Sequence, residues 1–123
     1  MKLIENTSEL ISFCQELNRK PFIAVDLEFL REKSYYAKLC LIQVAAPDTA
    51  AIIDPLAPGI EVEAFFAVLH NPEVVKVFHS GRQDIEIIYH QAGFIPEPLF
   101  DTQTAAQVFG FGEAISYENL VKT

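Results

Sequence analysis

Residues 21–30 read PFIAVDLEFL, an apolar run that carries two carboxylates, Asp26 and Glu28, two positions apart. Ten residues rich in β-branched and aromatic side chains predict a strand. Successive side chains of a strand point to opposite faces. Ile23, Val25, Leu27 and Phe29 therefore share one face, while Asp26 and Glu28 share the other with Phe22 and Ala24. Two like charges about 6 to 7 Å apart along a strand repel by about 2 to 3 kcal/mol at an effective dielectric near 20. Either that face is simply solvated, or something positive offsets the repulsion.

Outward from this strand, the N-terminal side shows Leu10, Ile11, Cys14 and Leu17 at helical spacing after Thr7 and Ser8, both capping residues, which predicts a helix over residues 8–18. On the other side, the loop REKSYYAK leads into a second strand, LCLIQVAA, closed by Pro47-Asp48. A third strand, AAIIDP, ends at Pro55. Short connections make these three strands an antiparallel meander. After Pro58-Gly59 the pattern becomes helical, with Ile60, Ala64, Phe65 and Leu69, and VVKVFH then gives a fourth strand. SGRQDIEIIYHQAG reads as a helix with Ser80 and Gln83 as a capping box and Gly93 as a left-handed stop, which sets Asp84 in the first turn. There the helix dipole favours a negative charge. PLFD is a fifth strand, followed by helix-like TQTAAQVFG, a Gly-Phe-Gly turn and YENLVKT, a capped helix barely begun at Thr123. The expectation is an α/β fold with a mixed five-stranded sheet, three antiparallel strands and then two more, flanked by helices and interrupted in its last one.

Half of the 123 residues are hydrophobic, enough for one domain with a real core. No run approaches a membrane span, and the N-terminus lacks the apolar stretch of a signal peptide, which makes a cytoplasmic protein the expectation, with no membrane partner. Cys14 and Cys40 lie in apolar segments without metal-site spacing and read as free thiols. A net charge of −8 disfavours simple electrostatic binding of nucleic acid. Local help exists in REKSYYAK, where Arg31, Lys33 and Lys38 concentrate positive charge and Tyr35 and Tyr36 offer faces on which single-stranded bases can stack. A solvated hairpin whose tyrosines anchor the second strand is the competing reading.

Asp-x-Glu on a strand with a further aspartate opening a later helix is a chemical pattern. Carboxylate oxygens suit magnesium or manganese, and two such ions about 3.5 to 4 Å apart can clamp the attacking and leaving oxygens of a phosphodiester. The segments AVDLEF, SYYAKLCLIQVA, IIDP, VFHSGRQDIE and FDTQTAA, in this order and spacing, resemble the ribonuclease D family, the DEDDy branch of the 3′-5′ exonucleases, over the whole chain. The resemblance implies a ribonuclease H-like fold and a metal-dependent enzyme that trims RNA 3′ ends, on precursors such as transfer RNA, and releases nucleoside monophosphates. At matched positions it implies that Asp26 bridges two divalent ions, Mg²⁺ or Mn²⁺. Glu28 would bind one ion and help place the attacking water, and Asp84 would hold the other. Phe29, Arg31, Tyr35, Tyr36 and His79 are the expected substrate contacts, the partner being a single-stranded 3′ end of RNA, with DNA as the alternative. For His79, a packed, hydrogen-bonded residue is the plainer reading, as is a helix cap for Asp101.

The family's fourth acid and its tyrosine lie in a Tyr-x-x-x-Asp motif. Tyr35, Tyr36, Tyr89 and Tyr117 are followed four residues later by Leu39, Cys40, Gly93 and Val121, so the motif is absent from this sequence. Residues 1–123 are therefore expected to be a partial exonuclease domain, ending before that motif and inactive or weakly active as given. Two other readings stay open: a DNA exonuclease of the same superfamily, and an inactive nucleic-acid-binding module of this fold.

Overall fold

The computed structural model describes residues 1–31, 37–79 and 81–102. In chain order they form β1 (Lys2–Ile4), α1 (Thr7–Leu17), β2 (Phe22–Arg31), β3 (Ala37–Ala46), β4 (Thr49–Ile53), α2 (Glu63–His70), β5 (Val75–Phe78), α3 (Arg82–Ala92) and β6 (Leu99–Asp101). The strands make a single mixed sheet in the order β1-β4-β3-β2-β5-β6. The meander β2-β3-β4 is antiparallel, as its short connections require, while β1 runs parallel to β4, β5 to β2 and β6 to β5. Five expected strands thus become six among the described residues. The addition is β1, whose three residues are too few to show any alternation in the sequence.

The alternation of β2 decides which face is core. Ile23, Val25 and Leu27 are buried, and the register sets Val25 opposite Val44 and Leu27 opposite Ile42, with Ala51 and Ile53 continuing the layer on β4. Helix α1 covers this layer with Leu10, Phe13, Cys14 and Leu17, and α2 with Phe65, Val68 and Leu69. Ile87 and Ile88 of α3 join the same cluster. Burying a large aliphatic or aromatic side chain contributes roughly 1.5 to 3 kcal/mol, so this one layer carries the fold. Lys76 is the unexpected member. It is fully buried on β5 opposite Ile23, and its ammonium donates to the carbonyls of Asn71 and, at 2.9 Å, Glu97. Burial lowers its pKa. The other face, with Ala24, Gln43, Ala45 and Val77 half-buried, carries Asp26 and Glu28 exposed.

Two helix starts differ from expectation. The N-cap of α1 is Asn6, whose side chain accepts from the Glu9 amide at 2.9 Å. Thr7 lies inside the helix, and its hydroxyl accepts instead from the Glu61 amide at 2.9 Å. Helix α3 starts after Gly81, one residue later than the expected capping box would place its N-cap. Ser80 itself lies outside the described residues. At the other end of α3, Gly93 adopts the expected left-handed conformation, φ 82°, and its amide bonds Tyr89 O at 2.9 Å. The elements expected after Thr102, and residues 32–36 of the REKSYYAK loop, lie outside the described residues. Among the described residues, no helix is long and apolar enough to cross a membrane.

Candidate active site

Asp26 and Glu28 project from the exposed face of the central strand, opposite Gln43 and Leu41 of β3. A bulge follows directly: Glu28 pairs with Leu41 but Phe29 with Leu39, so Cys40 is the extra residue on β3. On its other edge β2 is paired with β5 only from Phe22 to Ala24. Among the described residues, the β5 side of β2 carries no rung beyond Ala24, and the Leu27 amide finds a different acceptor. It donates to Asp84 Oδ2 at 3.2 Å, a buried bond across 57 residues of sequence. The first turn of α3 therefore takes the place of a strand, with a carboxylate where a carbonyl would stand.

This position is electrostatically tense. Asp84 is only 9% exposed. Burial pushes its carboxyl up to about 6. The Leu27 amide acts in the opposite direction, and the negative charges of Asp26 and Asp101 push it further up. A carboxyl that is desolvated next to two other carboxylates is a place that favours a cation. The donor set, all hard oxygen, is chemically suited to a divalent ion of the magnesium or manganese kind. Among the described residues, however, no group of three His, Cys, Asp or Glu side chains is arranged to hold a metal ion. The structure brings Asp26 and Asp84 into electrostatic contact and leaves Glu28 on the same strand face as Asp26, short of a closed triad.

The expected substrate contacts are distributed differently. Phe29 is half-buried and packs against the core cluster. Arg31 closes β2, while Tyr35 and Tyr36 lie outside the described residues. His79, between β5 and α3, is half-buried with Nδ1 2.6 Å from Thr102 Oγ1. It shares with Asp26 a pocket of about 350 Å³, whose lining includes Ala24, Gln43, Val77 and Thr102. Asp101 Oδ2 accepts from the Gly81 amide at 2.8 Å, at the start of α3; the helix after Thr102 that it was read to cap lies outside the described residues. The sequence signal was a lone aspartate ending a strand, and nothing in it names a partner twenty residues away.

The family model of 3′-5′ exonucleases matches residues 1–123. The chain is 53% identical over 122 residues to ribonuclease D of Nitrobacter hamburgensis, covering 99% of this chain and 32% of that protein. It is 50% identical over 123 residues to ribonuclease D of Jannaschia sp., covering 97% and 32%. The structure of Escherichia coli RNase D, an exoribonuclease involved in structured RNA processing, superposes with a TM-score of 0.91 at 33% identity, over 98% of this chain and 32% of that one. The chain thus spans about a third of the length of the relatives it matches.

Proposed function

The chain belongs to the 3′-5′ exonuclease family, and from that premise we propose that the protein containing it is a ribonuclease D-like 3′-5′ exoribonuclease, of which residues 1–123 form the first part of the catalytic domain. Its substrates are single-stranded RNA 3′ ends on structured precursors of the transfer RNA kind, shortened by hydrolysis to nucleoside monophosphates. The observation that carries this reading is the Asp84 carboxylate held on the Leu27 amide beside Asp26.

Asp26, Glu28 and Asp84 would hold the divalent ions, Mg²⁺ or Mn²⁺. Such ions, when bound, supply charge stabilisation and activate water. The protein's own contribution is placement. β2 fixes Asp26 and Glu28 on one face through its pairing with β3, and the Leu27 amide fixes Asp84 by a bond that favours its ionised form. Phe29, Arg31, Tyr35, Tyr36 and His79 are the proposed contacts of the RNA, the tyrosines by stacking on bases and Arg31 by offsetting phosphate charge. The fourth acid and a water-orienting tyrosine belong, on this reading, to a Tyr-x-x-x-Asp helix beyond Thr123.

The test is an assay of the full-length gene product on a 5′-labelled single-stranded RNA with magnesium or manganese, beside a DNA strand of the same sequence. A ladder shortening from the 3′ end is expected on RNA, abolished by EDTA and reduced at least about a hundredfold by Asp26→Asn, since several kcal/mol of charge stabilisation depend on that carboxylate. Undiminished trimming by Asp26→Asn would overturn the site. Faster trimming of the DNA strand would assign a DNA exonuclease instead.

A further inference from the structure

Among the described residues, no side chain of the turn itself caps the helix that presents Asp84. The N-cap of α3 is Gly81, and its first helical bond runs from the Ile85 amide to Gly81 O at 2.8 Å. Gly81 also sits hard against β5: a Cβ added there would lie 2.5 Å from Phe78 Cβ. Among the described residues, the side chain that holds this start comes from β6. The register sets Asp101 beside Phe78 at the last rung of the parallel β5-β6 pair, and there the ladder passes to side chains. Asp101 Oδ2 accepts from the Gly81 amide at 2.8 Å. Thr102 Oγ1 donates to Phe78 O at 3.2 Å and lies 2.6 Å from His79 Nδ1. Three residues after Gly81, Asp84 reaches the Leu27 amide.

We propose that Asp101 is a positioning residue of this site: by holding the Gly81 amide it fixes where α3 begins, and so where the Asp84 carboxyl meets the Leu27 amide beside Asp26. A direct role at the metal is the alternative, and the hydrogen bond argues against it, because one carboxylate oxygen is already committed to a backbone amide. The charges add a reason for a fixed anchor. Asp84 and Asp101 repel each other, and the bond to the Gly81 amide offsets that repulsion at one turn. The consequence for metal binding rests on the exonuclease reading above, whereas the consequence for the Leu27 bond rests on geometry alone.

The experiment uses the full-length gene product with Asp101→Ala and Asp101→Asn. An asparagine oxygen can accept the same amide without the charge, and alanine cannot. Amide hydrogen exchange at Leu27 is measured without metal, followed by manganese affinity by titration and the half-saturating manganese concentration for RNA trimming. Asp101→Ala is expected to speed Leu27 exchange about tenfold or more and to weaken manganese binding and response by about 10- to 100-fold, the range for residues that orient metal ligands. Asp101→Asn should stay within about threefold of the parent in all three, as rescue by an acceptor requires. A folded Asp101→Ala protein with parental exchange and manganese response would overturn the proposal. So would an Asp101→Asn protein as impaired as the alanine variant, which would make the charge itself a metal contact. Should Asp101→Ala not fold, Asp101→Glu keeps the charge but lengthens the arm by one methylene. Weakened manganese binding then supports positioning, and parental binding refutes it. If the parent neither binds manganese nor trims RNA, the exonuclease reading fails, and the Leu27 exchange comparison alone decides the claim about α3.

Discussion

In the metal-free protein, Asp84 stabilises the fold best when it is protonated. An unfolded aspartate titrates near 3.8 and this one at about 6. Between those values the folded state binds more protons, so stability falls as pH rises through 6, by about 1 to 3 kcal/mol. Asp84→Asn removes that loss while keeping an acceptor for the Leu27 amide. In EDTA at pH 7.5 the variant should melt higher than the parent, with the gap closing toward pH 4, although its metal-dependent trimming is gone. A lower melting temperature at pH 7.5 would mean that burial is not the dominant influence on this carboxyl. Cys14 shows the same sign. Burial pushes its thiol from 9.0 to about 12, so it stays protonated in the fold, and its contribution to stability is lost as pH rises from about 9 towards 12. A disulfide reagent at pH 8 should therefore leave Cys14 unmodified in the native chain and reach it only on unfolding. Asp26 and Glu28 were legible in the sequence because a strand has a period of two. The acceptor of the Leu27 amide was not, because that bond joins residues 57 apart and depends on where β5 stops.

Helix starts and short strands are where the sequence was hardest to read. Thr7, Ser8 and Asn6 are all competent caps, and the choice among them was made by the loop before α2, which engages the Thr7 hydroxyl and leaves Asn6 to cap. Asn6→Ala should cost about 1 kcal/mol in a denaturant melt, whereas Ser8→Ala should cost little. Gly81 allows close approach of the β5-α3 turn to Phe78. Gly81→Ala should destabilise by about 1 to 3 kcal/mol as an overpacked site, and the same displacement should weaken metal binding more than Asn6→Ala does at equal stability. The meander was legible from short connections and turn residues. The bulge at Cys40 was not, since no glycine or proline marks it and both flanking registers keep leucines inside or half-buried.

For the molecule as a whole, segment order carried the most information. Five short motifs in sequence identified a family that the 3′-5′ exonuclease model matches over residues 1–123. The mixed sheet, with its antiparallel meander and two later strands, followed from it, except for β1. The closure of the acidic site did not follow, because among the described residues no group of three His, Cys, Asp or Glu side chains is arranged to hold a metal ion. The 123-residue chain alone is accordingly expected to bind manganese weakly and to trim RNA little, and a gene product extending through a Tyr-x-x-x-Asp motif to bind it more tightly and to trim RNA. Strong trimming by the short chain that disappears with Asp26→Asn would keep the acids and refute the need for that helix. Lys76 gives the molecule a further property. Its ammonium joins the turn at Asn71 to the segment at Glu97 from inside the core. An acylating reagent can reach that amine only when β5 and its neighbours part, so the rate at which Lys76 is tagged, set against the rates of exposed lysines such as Lys2 and Lys38, clocks the transient opening of the sheet at β5.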